Sequence, residues 1–289
     1  MLLVHTKSQS AMEYLMTYGW AILIIAVVLA VLFQLGVFSG GNFLPHAQPG
    51  SCQVSRTIAG TSLEGQCNGM LPEYVAQFNG ASSYILDSQA INLPLHGAPV
   101  TLTVWVYGYV FNDGTWLNGD AFGYGTPTAG NFISLVMLTG GTNLHLDNCG
   151  SASTAGGTVT TYAWHQIAMT YTGSIETLYV DGTGYQVTPP PMGSGTSSTV
   201  LIGGRLCTGP STYWDGQLAN VQIYNTSLSQ SEIQALYLEG IGGAPVRPQN
   251  VVGWWPLNGN ANDYSGNNNN GQLNSVTFSS SWESSYTAP

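Results

Sequence analysis

The sequence predicts a mainly β protein, an antiparallel two-sheet sandwich carried behind an N-terminal apolar α-helix. Two observations lead there: an almost unbroken apolar run from Gly19 to Phe38, and short alternating strands from Pro72 onward. A composition rich in Gly, Ser, Thr and Asn but only 6% charged fits the same reading.

The helix comes first. About 20 residues cross a bilayer core, and residues 19–38 supply that length with Gln34 as the one strongly polar side chain inside. Lys7 is the only Lys or Arg before position 56, so the positive-inside bias places residues 1–8 in the cytoplasm and the bulk of the chain outside. The apolar core exceeds that of a cleaved secretory signal, and Phe38-Ser39-Gly40-Gly41 is a poor small-x-small site. Glu13 sits at the edge of this helix, where a carboxylate needs a partner.

Composition narrows function. Fourteen acids against four bases give a formal charge of -10, which repels phosphate backbones and excludes nucleic acid as a partner. Having few titratable groups also leads to an expectation of acid tolerance. Cys52, Cys67, Cys149 and Cys207 have no zinc-site spacing and are expected to form two disulfides outside the cell. Three pairings exist on paper; the local one, Cys52 with Cys67 and Cys149 with Cys207, is preferred. The first would close a 16-residue loop within residues 39–71, a linker lacking sustained periodicity.

Strands follow. Residues 74–78 and 84–86 flank the turn signal Asn79-Gly80, and Val100 to Tyr107 alternates as V-T-L-T-V-W-V-Y. Residues 164–171 and 177–180 obey the same rule, before the turn Asp181-Gly182. Ser229-Gln230-Ser231-Glu232 is a capping box that opens a short helix with Ile233, Leu236 and Tyr237 on one face.

Two resemblances add to this. Lys7-Ser8-Gln9-Ser10-Ala11-Met12-Glu13-Tyr14-Leu15 resembles the type III signal sequence of archaeal type IV pilin-like proteins. It implies a leader at residues 1–8, cleavage between Ser8 and Gln9, an assembly helix at 9–38, and Glu13 pairing with the N-terminal amine of a neighbouring copy. Phe78-Asn79-Gly80, Val104-Trp105-Val106, Trp164-His165-Gln166-Ile167-Ala168, Leu178-Tyr179-Val180-Asp181-Gly182 and Trp214-Asp215-Gly216-Gln217-Leu218 resemble the laminin-G-like, concanavalin-like jelly rolls. That resemblance implies a jelly-roll sandwich over 72–240 that binds glycan or protein at cell surfaces. Where such domains carry an acid, this chain has Ala219-Asn220. Residues 252–271 resemble the strand and loop that open such a domain, placed last; residues 241–289 then complete the sandwich, either in trans on the sheet edge of a neighbouring copy or, by preference, in cis, because the ten-residue connection 241–250 reaches far enough.

Chemistry is sparse. Glu176 and Asp181 bracket a strand, but no clustered carboxylates, His-Glu-x-x-His or Gly-x-Ser-x-Gly is present, so no enzyme is expected. His165 has no evident partner and reads as structural. Asp113, Trp116, Asp120 and Tyr124 fall in a Gly/Asn-rich stretch expected to be an open loop that stacks on and hydrogen-bonds a sugar. Asp263 among asparagines is a candidate Ca2+ ligand, with an Asx turn as the alternative, and Asn225-Thr226-Ser227 is a glycosylation sequon. The functional expectation is a pilin-like filament subunit or adhesin at the cell membrane or in an extracellular filament. The alternatives are a non-polymerising anchored glycan receptor and an anchored glycoside hydrolase.

Overall fold

The structure is a computed structural model that describes residues 18, 22–29, 55–56, 63–64, 71–109, 117–138, 143–193, 197–207 and 209–289. It divides into two compact units, Met1–His46 and Ala47–Pro289.

In the first unit, α1 is described over residues 22–29. Its large apolar side chains are all open to solvent, from Leu29 at 45% to Ile22 at 66% exposed. Among the described residues no helix is long and apolar enough to cross a membrane. Ser8, Gln9, Glu13, Cys52 and Cys67 lie outside the described residues.

The second unit holds two antiparallel sheets. Strands, numbered in chain order, begin with the small pair β1 (Ser55–Arg56) and β2 (Leu63–Glu64). Next come β3 (Val75–Asn79), β4 (Tyr84–Asp87), β5 (Val100–Gly108), β6 (Leu117–Gly125), β7 (Phe132–Leu138) and β8 (Leu144–Asp147). They are followed by β9 (Trp164–Tyr171), β10 (Glu176–Val180), β11 (Thr183–Val187), β12 (Thr199–Ile202), the hairpin β13 (Arg205–Leu206) and β14 (Pro210–Ser211), and β15 (Asp215–Tyr224). The helix α2 (Gln230–Leu238) precedes β16 (Val251–Trp255), β17 (Gln272–Asn274) and β18 (Thr277–Ser279). The large sheet runs β11-β10-β9-β5-β15-β3-β18, with β16 also on β15; the smaller runs β17-β4-β12-β6-β7-β8.

Alternation explains the core. On β5, Val100, Leu102, Val104 and Val106 enter the main cluster between the sheets, joined by Ile167 and Met169 of β9, Leu178 of β10 and Ile133, Leu135 and Met137 of β7. Period-two patterning then sends Trp105 and Tyr107 to the outer face of the large sheet. Truncating a fully buried member such as Leu102 to Ala would cost about 2–5 kcal/mol.

β15 pairs with β3 through Leu218 and with β16 from Val221 onward, and the handover falls at an irregularity around Asn220. Asn220 adopts φ 49° there. Its amide donates to Gly243 O and accepts from Gln222 and from the Trp254 indole, so the residue pins the C-terminal strand to the sheet. The capping box of α2 is formed as the sequence predicts, and Ile233 and Leu236 pack on Tyr224, Val251 and Trp254.

Candidate functional site

The outer face of the large sheet ends in a group of aromatic rings. β5 and its continuation place Tyr107 and Tyr109 side by side at 5.6 Å, edge to face. The turn before β9 adds Tyr162, 6.1 Å from Tyr109 and 6.4 Å from Tyr107, and β9 adds Trp164, 5.6 Å from Tyr107. Tyr162 is 63% exposed and holds φ 58°, an unusual conformation for a bulky residue. Its backbone N–H donates to Gly108 O, which fixes the turn against β5.

Amides lie beside the rings. The Tyr109 hydroxyl donates to Gln77 Oε1 at 3.0 Å, and Gln217 Nε2 donates to the same oxygen at 3.0 Å. Gln77 Nε2 is held by Phe78 O and Gly216 O. Gln217 Oε1 is buried with no partner. Asp215, next along β15, is half-buried, and desolvation raises its carboxyl pKa. Rings flanked by fixed amides can stack on apolar sugar faces and hydrogen-bond hydroxyls. Alternation along Trp105, Tyr107 and Tyr109 was the signal that points to this platform; Tyr162 and Gln217 need the fold.

The sequence-expected sites fall elsewhere. Asp113 and Trp116 lie outside the described residues, in the stretch that follows Tyr109 in the chain. Asp120 and Tyr124, expected in an open loop, are instead enclosed in strand β6. Asp120 accepts hydrogen bonds from Ser134 Oγ and, at 2.5 Å, from Thr212 Oγ1. Burial raises its pKa to about 7, against the lowering effect of those hydroxyls and of Arg205. Tyr124 stacks on His96 at 6.0 Å. Neither side chain faces solvent, which corrects their assignment to a ligand surface.

Asp263 is saturated. Its carboxylate accepts from Trp254 N, Ser265 N, Ser265 Oγ and Asn269 N at 2.8–2.9 Å, four donors that fill both oxygens. These contacts make it the organiser of an Asn-rich turn, the reading that replaces Ca2+ at this residue. Asn225 is exposed just past β15 and accepts from Asn250 Nδ2. Cys149 and Cys207 form a disulfide. Asp147 beside them makes a three-residue group, but sulfurs bonded to each other are not thiolate ligands.

His165 does have partners. Nδ1 lies 2.7 Å from Asp181 Oδ2 and Nε2 lies 2.8 Å from Thr160 Oγ1, the order of a hydrolase relay. The Thr160 N–H also donates to Nε2, so the lone pair needed to take a hydroxyl proton is already engaged. Asp181 further accepts from Gln166 N, which makes the group a clasp on the β9-β10 turn. The pairing of Val180 with Ile167 brings Asp181 beside His165, a register the sequence alone did not reveal. Glu176, with its pKa raised to about 7 by burial, is enclosed on β10, on the other sheet from Asp120.

A family model described as the concanavalin A-like lectin/glucanases superfamily matches residues 79–234, just over half of the 289. The chain belongs to this superfamily. Among solved structures, a candidate carbohydrate-binding protein from Bacteroides ovatus is similar to this superfamily member at 13% identity and a TM-score of 0.51. That match covers 71% of this chain and 59% of that one, less than two thirds of the Bacteroides protein's length. A heptameric SAP-like pentraxin from Limulus polyphemus matches at 18% identity and TM-score 0.46, covering 60% and 85%. Domain 4 of an extracellular arabinanase from Geobacillus stearothermophilus, solved with arabinotriose, matches at 18% and 0.42, covering 59% and 79%. No curated protein matches the chain.

Proposed function

We propose that this chain is a cell-surface subunit whose jelly-roll head binds neutral glycan on the platform of Tyr107, Tyr109 and Tyr162, with Gln77 and Gln217 as hydrogen-bonding groups. The observation that carries the reading is the aromatic cluster, open at Tyr162 and half-buried at Tyr107 and Tyr109, with amides fixed beside it. Membership of a superfamily that includes lectins supports it, as does the likeness in fold to the candidate carbohydrate-binding protein of Bacteroides ovatus. Binding is favoured over hydrolysis because glycoside cleavage needs two accessible carboxyls about 5–10 Å apart. Among the described residues, Asp120 and Glu176 are enclosed, Asp181 is held by His165 and the Gln166 N–H, and Asp215 lies half-buried where the Tyr109 N–H meets its carbonyl.

The test is titration of the full chain in mild detergent with a panel of neutral oligosaccharides. Tyr109→Ala should weaken binding about tenfold, a loss of roughly 1.4 kcal/mol, with little change in melting temperature. Equal binding by wild type and variant would remove the platform from the reading. Release of reducing ends would move it to the anchored hydrolase.

The stem belongs to the same proposal. Cleavage between Ser8 and Gln9 and pairing by Glu13 would let the helix at 9–38 pack with other copies. The apolar side chains of α1, open throughout residues 22–29, favour burial against lipid or like helices. Filaments in electron micrographs that vanish in Glu13→Ala support assembly; an anchored chain that never polymerises supports the receptor alternative. Asn225 is the proposed glycan-acceptor residue of the exposed head.

A further inference from the structure

Beyond the open platform, the same outer face continues under the C-terminal tail. Trp282 and Tyr286 pack there against Trp105, Trp164, Ile241 and Tyr237. Trp282 meets Trp164 edge to face at 6.0 Å, and Tyr286 meets Trp105 at 5.6 Å and Trp282 at 5.7 Å. Tyr237 stacks on Trp105 at 5.8 Å. The contact is almost purely apolar: the Tyr286 hydroxyl accepts from Ile241 N at 3.2 Å, entering where Gly240 carries no side chain.

This cover fits the rings but not their polar atoms. The indole N–H groups of Trp105, Trp164 and Trp282 are buried without an acceptor, at 2%, 8% and 1% exposure. Gln217 Oε1, on the platform side, is likewise unmatched at 7% exposure. An indole nitrogen can only donate, and a buried donor left unmade is costly. Three such donors meet in one interface that the last ten residues of the chain close. Sugar hydroxyls supply the acceptors that the tail lacks, and sugar faces supply the stacking that Trp282 and Tyr286 now provide.

We propose that Trp164 and Trp105, with Tyr237, form inner subsites of a longer trough for a neutral polysaccharide, and that residues 280–289 are a displaceable cap over them. The inference rests on the platform as the outer end of that trough: rings follow one another from Tyr162 through Tyr107 to Trp164. A short sugar occupies the open end. A long one must lift the tail, and its affinity is reduced by the fraction of molecules in which the tail is seated.

The full chain, Trp282→Ala, Tyr286→Phe, Tyr109→Ala and the double variant Trp282→Ala/Tyr109→Ala are titrated with gluco-, manno- and arabino-oligosaccharides of two to eight residues, with thermal melting to confirm folding. Trp282→Ala should strengthen binding of the six- to eight-residue members about tenfold and leave disaccharides unchanged. Tyr286→Phe, a milder change that removes only the hydroxyl, should give a gain of a few fold in the same members. No gain with length in either folded variant overturns the cap, even where short sugars still bind the platform. A gain with length that survives Tyr109→Ala supports the inner subsites while sinking the outer platform. Absence of binding in every variant overturns both.

Discussion

The outer faces of the two sheets are finished in opposite ways. On the small sheet, the face beyond β6 and β7 is closed by polar ties: Ser134 and Thr212 on Asp120, Arg205 on Asp147 at 3.0 Å, and the Cys149–Cys207 disulfide fastening the β13-β14 hairpin to the end of β8. On the large sheet, the corresponding surface carries stacked rings, with hydrogen bonding confined to the Tyr109, Gln77 and Gln217 group, partly open at Tyr162 and partly under the tail. Directional bonds and a covalent link fix one arrangement, whereas stacked rings exchange partners at modest cost. The difference separates a face that holds the fold together from a face suited to contact.

The largest effect expected from breaking this contrast is at the disulfide. Cys149 and Cys207 are 58 residues apart, and a loop of that size constrains the unfolded chain by about 4 kcal/mol on the chain-entropy model. Chemical denaturation of Cys149→Ser/Cys207→Ser should show a loss of that order, while oligosaccharide affinity stays within about twofold. Affinity that fell together with stability would mean that the two faces are not independent.

Protonation gives the next effect. Desolvation raises the carboxyls of Asp120 and Glu176 to about 7, above their unfolded values near 3.8 and 4.5. A carboxyl shifted upward stabilises the protonated fold, so stability is fully present below about pH 4 and lost as pH rises through 7. Asp87, Asp215 and Glu239 shift the same way through burial. His96, lowered by burial, works in the opposite sense below pH 6.5, and Glu232, lowered on balance by Ser229 and Arg247 against its own desolvation, loses its contribution on acidification. Upward-shifted carboxyls outnumber these two, so melting temperature should rise as pH falls from 7 toward 5. Asp120→Asn should flatten that slope by up to about 1.4 kcal/mol per pH unit. An Asp120→Asn slope identical to that of the wild type would show that Asp120 is already ionised in the fold.

How much of this was legible depends on how local the cause is. The inward residues of β5 and β9 and the capping box of α2 follow from alternation and spacing, and the structure has them where the pattern puts them. The stretch holding Asp120 and Tyr124 misled because its glycines, Gly119 and Gly123 among them, read as an open loop. At Gly123 a Cβ would lie 2.3 Å from Ile133 O, so the missing side chain admits the neighbouring strand rather than bending the chain. Enclosure of Asp120 then follows from pairing with β7 and from a hairpin 85 to 92 residues away, which no local pattern encodes. The platform was half legible: alternation supplies Tyr107 and Tyr109, while Tyr162 arrives only through a turn docked on β5.

That turn offers the finest test of the contrast, because at Tyr162 stability and contact pull apart. A tyrosine at φ 58° with most of its ring in solvent contributes little packing and keeps a backbone conformation that favours glycine. Strain of this kind persists where the surrounding structure imposes it, here through the Tyr162 N–H to Gly108 O bond. Tyr162→Gly relieves the strain but adds unfolded-chain entropy, so unfolding free energy should move by less than about 1 kcal/mol in either direction. Oligosaccharide affinity should nonetheless fall several fold, since one wall of the platform is gone. If Tyr162→Gly instead destabilised the head by several kcal/mol in a denaturant titration, the ring would be a packing element, and the large sheet would be finished by the same logic as the small one.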